Sequence, residues 1–220
     1  MEHVRFYAQE KRQGATVKDA SNNKFPEIVV FAGPNGSGKS TFTEFLKPTS
    51  FNYINADEIK KALKCSDIEA ALEAEKQREK HLASNENFCF ETVMSTKRNL
   101  NLLRRAKEKG YFIRCYYILT VDPQINVYRV KSRVADGGHD VPTDKIISRY
   151  ERALSLVKDV VAVSDVCHIY DNSTEHPFRI FKKRKNNCFY QECEDWLYED
   201  IQSLTGISDM VLIELNISDS

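Results

Sequence analysis

The chain has 220 residues, 41% of them apolar, and its 32 lysines and arginines are balanced by 32 aspartates and glutamates. That is enough apolar material for a packed core and too much for a disordered chain, while the zero net charge lacks the basic field that phosphate-backbone binding uses and so argues against a nucleic-acid partner. No stretch reaches the roughly 18 apolar residues of a membrane span, and the polar N-terminus has no apolar run of signal-peptide length. Cys65, Cys89, Cys115, Cys167, Cys188 and Cys193 form no CxxC pair, which reads as free thiols in a reducing, cytoplasmic compartment rather than a zinc site.

Residues 1–26 read as a polar arm ending at Pro26. The run Ile28-Val29-Val30-Phe31-Ala32 is apolar without alternation, the pattern of a central parallel strand covered on both faces. A glycine-rich loop follows, then a helix from Lys39 to Leu46. Phe51 to Ile54 is a short strand closing on Asn55-Ala56-Asp57, with helices near 57–64 and 67–84 behind it. Phe88-Cys89-Phe90 is a third strand ending at Glu91-Thr92, and a helix over 99–109 stops at Gly110. Tyr111 to Thr120 is the longest strand. Pro123 opens a helix to about Ala135, and Asp136 to Pro142 breaks it. Ile146, Ile147, Tyr150, Leu154, Val157 and Val161 keep a 3.6-residue period and predict one helix from Thr143 to Val161. Val166 to Tyr170 is a further strand, ending at Asp171-Asn172.

Short apolar strands alternating with helices predict an α/β fold of the three-layer P-loop type, a mainly parallel sheet with helices on both faces. The kinase-like core spans 27–175. The extension 176–220 holds a hairpin over 178–190 with Lys182 to Lys185 as a solvated basic turn, a helix over 192–204, and a tail, Met210 to Leu215, left open between edge strand and disorder.

Gly33-Pro34-Asn35-Gly36-Ser37-Gly38-Lys39-Ser40 matches G-x-x-x-x-G-K-[ST] in full, followed by Thr41. The glycines let backbone N–H groups curl around a phosphate, Lys39 reaches the β- and γ-phosphates, and Ser40 ligates Mg²⁺. ATP and Mg²⁺ are therefore the expected cofactors.

Together with Tyr53-Ile54-Asn55-Ala56-Asp57-Glu58-Ile59, Phe90-Glu91-Thr92 and the segment Arg129 to Arg152, this loop resembles the zeta-toxin family of P-loop kinases, in particular its smaller predicted-ATPase branch. The match runs over about residues 27–175. The resemblance implies phosphoryl transfer from ATP to a small hydroxyl acceptor, which in the toxins is UDP-N-acetylglucosamine. It implies Asp57 as the base, Glu91 as an acceptor contact, and arginines around a lid at 136–142 as phosphate ligands. The segments between motifs are shorter than in the larger toxins, which bears on the acceptor more than on the chemistry. An antitoxin-like partner would be a separate chain.

Read from the residues, several roles stay open. Asp57 is a base or a helix N-cap. Glu91 touches the acceptor, orients a Mg²⁺-bound water, or is a loop carboxylate. Thr92 binds the acceptor or caps a turn, and Asn172 meets the adenine edge or is a turn residue. Arg149 lies at the edge of its helix's apolar face and is taken as a ligand, whereas Arg152 points away and is taken as a solvated charge. Arg133 is preferred to Arg129 for phosphate, being closer to the glycine break. His139 touches phosphate or packs the lid. A polynucleotide 5′-kinase and a non-catalytic nucleotide switch are the competing functions.

Overall fold

In a computed structural model of the chain, the described residues are 25–135, 137 and 140–213. Most of the arm expected over 1–26, residues 136, 138 and 139 of the expected lid, His139 among them, and the end of the tail expected to Leu215 therefore lie outside the described residues. β1 (Glu27–Ala32) is buried along its whole length. It pairs in parallel with β3 (Phe88–Thr92) on one side and β4 (Phe112–Leu119) on the other. β2 (Asn52–Ile54) adds outside β3, and β5 (Val166–Asp171) outside β4, both parallel. Beyond β5 the direction reverses. β6 (Phe178–Arg184) and β7 (Asn187–Tyr190) form an antiparallel hairpin, and β8 (Val211–Leu212) runs parallel to β7. The order is β2-β3-β1-β4-β5-β6-β7-β8, so β6, β7 and β8 continue the sheet of the core.

Helix α1 (Lys39–Leu46) follows β1. α2 (Ala56–Leu63) and α3 (Asp67–Ala83) join β2 to β3, and α3 starts in a reciprocal Ser66–Glu69 capping box. α4 (Lys97–Glu108) joins β3 to β4. α5 (Pro123–Ala135), α6 (Thr143–Ser155) and α7 (Val157–Val163) lie between β4 and β5, and α8 (Tyr198–Thr205) lies between β7 and β8. Alternate residues of β1 serve opposite faces of the sheet. Ile28, Val30 and Ala32 share a core with Leu100 and Leu103 of α4, Val157 and Val161 of α7 and Ile201 of α8. Val29 and Phe31 share one with Phe42 of α1, whose ring lies 4.9 Å from that of Tyr170.

Two expected helices are corrected. The helix predicted from Thr143 to Val161 breaks at Leu156, where φ is −96° and ψ −4°. The break serves two cores: Ile146 packs with Val127, Val130 and Val141 over the strand ends, while Val157, Val160 and Val161 turn down onto the sheet. A period can persist through such a break because both pieces are amphipathic. The helix expected from Glu192 begins only at Tyr198. Before it, Cys193 and Trp196 exchange two backbone hydrogen bonds of 3.1 Å, a tight turn that buries Trp196 in the main core.

Candidate active site

The loop from Gly33 to Ser40 leaves the carboxyl end of β1, the ligand-bearing edge of an open parallel sheet. Gly33 donates its N–H to the Thr92 carbonyl at 3.2 Å and has φ +143°; a Cβ there would run into the Ile118 carbonyl. Gly38, the residue before α1, has φ +93°, and a Cβ there would strike the Asn172 amide. Both positions demand glycine for conformation and for space. Three distant residues brace the loop. Asn126 donates to the Asn35 carbonyl at 2.6 Å while accepting from the Thr120 hydroxyl. Asn172 donates to the Ser37 carbonyl at 2.8 Å. Arg129 forks onto the carbonyls of Asn172 and Ser173 at 2.6 and 3.1 Å.

The braced loop fits a phosphate. The loop residues Asn35, Gly36, Gly38, Lys39, Ser40 and Thr41 all border one cavity. α1 has no side-chain cap and no acidic residue in its first turn, so its N–H groups meet no competing carboxylate there. Lys39 folds back to donate to the Pro34 carbonyl at 2.8 Å. Desolvation pulls its pKa down to about 8, against the upward pull of Glu91 and Asp57, and Arg133 adds to the lowering.

Beside the loop, four polar side chains form one chain of hydrogen bonds. Ser40 Oγ donates to one oxygen of Glu91 at 3.1 Å, and the Tyr53 hydroxyl donates to the other at 2.6 Å. Asn55 Nδ2 donates to that hydroxyl at 2.7 Å, and Asn55 Oδ1 accepts the Asp57 N–H at 2.8 Å. The N-cap of α2 is therefore Asn55, which corrects the capping reading of Asp57. Asp57 instead lines the cavity next to Lys39. Ser40 and Glu91 supply the hard oxygen donors that suit Mg²⁺, which characteristically takes one or two protein ligands and completes its shell with phosphate and water. Among the described residues there is no cluster of three or more His, Cys, Asp or Glu that could hold a metal ion.

Glu91, Asp57, Lys39, Ser40, Thr41, Asn35, Gly36 and Gly38 border one cavity of about 800 Å³, which Arg129, Arg133, Arg149 and Arg152 also line. Arg149 thus borders the cavity, along with Arg133. Arg152 does not stay apart: although exposed, it reaches the same cavity, because the cavity lies over the strand ends rather than opposite the helix's buried face. Thr92 accepts hydrogen bonds from Met94 N at 3.0 Å and Asn99 Nδ2 at 2.8 Å, the turn-capping role. Asn172 borders a smaller recess of about 310 Å³ with Gly38, Thr41, Arg129, Thr174, Glu175 and Pro177, but its amide nitrogen already holds Ser37. The sequence reading gave no role to Tyr53, Asn55 or Asn126. Asn126 carried no signal in the sequence: its full burial beside Val127 and Val130 of α5 belongs to the fold, and a buried amide must be bonded to something.

Residues 13–194 match the model of the zeta toxin family. Among solved structures, the chain is similar to a component of the PezAT chromosomal toxin-antitoxin system of Streptococcus pneumoniae, with TM-score 0.52 and 17% identity, covering 79% of this chain and 80% of that one. It is also similar to a chain of the AvrRxo1-ORF1:-ORF2 complex with ATP, with TM-score 0.64 and 16% identity, covering 92% of this chain and 71% of that one. At these identities the likeness concerns the fold. An uncharacterized protein of Haemophilus influenzae (strain ATCC 51907 / DSM 11121 / KW20 / Rd) is 29% identical over 129 residues, which is 56% of this chain and 92% of that one. No described helix is long and apolar enough to cross a membrane.

Proposed function

This chain belongs to the zeta toxin family, and from that premise we propose that it transfers the γ-phosphoryl group of ATP, with Mg²⁺, to a hydroxyl of a small molecule, a nucleotide sugar resembling UDP-N-acetylglucosamine being the first acceptor to test. The observation that carries the reading is the meeting of Lys39, Ser40, Asp57 and Glu91 with four arginines around a single cavity. Phosphoryl transfer asks for little covalent help from the protein and much positioning and positive charge.

In this reading the loop and Lys39 hold the β- and γ-phosphates, and Ser40 with Glu91 holds the cation. A bound Mg²⁺ would neutralise charge on the phosphates. Asp57, with its backbone N–H engaged by Asn55 and its carboxylate on the cavity, receives the acceptor's proton. Arg133 and Arg149 offset charge on the transferring group, with Arg152 as a further cation on the same wall. The recess beside Gly38 and Arg129 takes the base of the nucleotide. All six cysteines are free thiols, which suits a reducing cytoplasm. By analogy with the toxin-antitoxin system above, a separate antitoxin-like chain is the protein partner to seek by co-purification.

The test is incubation of the protein with Mg²⁺, γ-labelled ATP and a panel of nucleotide sugars and other small hydroxyl compounds. The expected result is label in an acceptor, abolished in Lys39→Ala. Release of free phosphate alone across the panel would overturn the transferase reading in favour of a nucleotide switch or hydrolase.

A further inference from the structure

We infer that Tyr53 is a positioning residue whose hydroxyl fixes the Glu91 carboxylate for the cation site and ties it, through Asn55, to the helix start that carries Asp57. This rests on the function proposed above. The geometry is specific. Tyr53 is the middle residue of β2, and β2 and β3 pair in parallel with Tyr53 opposite Cys89, so the phenol lies alongside the strand that carries Glu91. Its hydroxyl donates to Glu91 Oε1 at 2.6 Å, while Glu91 Oε2 accepts from Ser40 at 3.1 Å. A carboxylate held at both oxygens has little rotamer freedom left.

The phenol is itself held from two sides. Asn55 Nδ2 donates to its oxygen at 2.7 Å, so the one hydroxyl proton is left for Glu91. The Lys47 ammonium stands 4.5 Å from the ring centroid. Tyr53 is thus held as a donor to Glu91 by the partner on its own oxygen.

Tyr53→Phe removes one oxygen and keeps the ring. Losing a hydrogen bond to a charged group should weaken the Mg²⁺-dependent component of ATP binding by roughly tenfold. ATP binding in excess chelator should be unchanged, since the loop itself is untouched. Asn55→Asp keeps the cap acceptor but has no N–H for the phenol, so it should shift Mg²⁺ dependence in the same direction. In a Glu91→Gln background, Tyr53→Phe should add less than about twofold, because two residues acting through one contact are not additive. The readout is titration of ATP by calorimetry across a Mg²⁺ series, with melting temperatures as a folding control; it does not require turnover. A Mg²⁺-dependent wild type with an indifferent Tyr53→Phe, or full additivity with Glu91→Gln, overturns the positioning role alone. A wild type that binds ATP without regard to Mg²⁺ overturns the proposed function and this inference together.

Discussion

Raising the pH from 7 to 9 should weaken ATP binding by up to about tenfold, because Lys39 loses its charge in the free protein over that range. Desolvation has lowered its pKa to about 8. At pH 7 about nine tenths of the free protein carries the ammonium, and at pH 9 about one tenth. A bound triphosphate lies against the amine and favours the charged form, so the bound pKa rises and binding draws a proton from solution above pH 8. The sign follows: affinity is nearly full at pH 7, is about halved at pH 8 and falls further as pH climbs toward the bound-state value. Tenfold is an upper figure, since Lys39 is only partly buried and solvent screens some of the shift. The same depression opposes folding at low pH and is relieved as pH rises from 8 toward 10.5. The assay is calorimetric titration of ATP in buffers of different ionisation enthalpy, which gives affinity and protons taken up at once. Uptake should approach one proton per ATP near pH 9. Lys39→Arg, whose guanidinium stays charged throughout, should bind with a flat profile. A wild-type affinity that does not change between pH 7 and 9, or an arginine variant that keeps the fall, would refute the reasoning.

Asp57→Asn should reduce transfer to the acceptor by about 10²–10⁴-fold with ATP affinity and melting temperature close to wild type, because Asn55 and not Asp57 caps α2; acceptor-dependent ADP release at the wild-type rate would remove Asp57 from the mechanism. Asn126→Ala leaves the Asn35 carbonyl without its side-chain donor, while the Thr120 hydroxyl keeps the Asp122 carbonyl at 3.3 Å, so denaturant melts should show a loss of about 1–3 kcal/mol, accompanied by weaker ATP binding; unchanged affinity would show that the loop holds its shape unaided. His168 is buried between Tyr116 and Tyr170, and desolvation, with Arg179, Lys182 and Arg114 nearby, holds its pKa well below 6.5. Its neutral form therefore stabilises the fold above pH 6.5, and that contribution declines as pH falls, by about 1.4 kcal/mol per pH unit for one proton. His168→Phe should remove one proton's worth of that slope from acid melts, and an equal slope in both proteins would count against it.

The local features were legible because they are short-range. The unbroken run of β1, the loop motif, α1 over Lys39–Leu46 and α5 over Pro123–Ala135 each follow from neighbours a few residues apart. The parallel sheet followed from the alternation of those elements, and the family from four motifs in order. The braces were not legible. Asn126 meets the loop across 91 residues, Asn172 across 135, and Tyr53 meets Glu91 across 38. Such pairs depend on which strands become neighbours and in what register, and no periodicity records that. Arg152 makes the same point: a helical wheel turned it away from the buried face of its helix, whereas it borders the cavity that Arg149 also lines. The chemistry-bearing residue types were written in the chain, but which of their polar atoms are left free for a ligand was decided by tertiary packing, because buried polar groups must first be satisfied by one another.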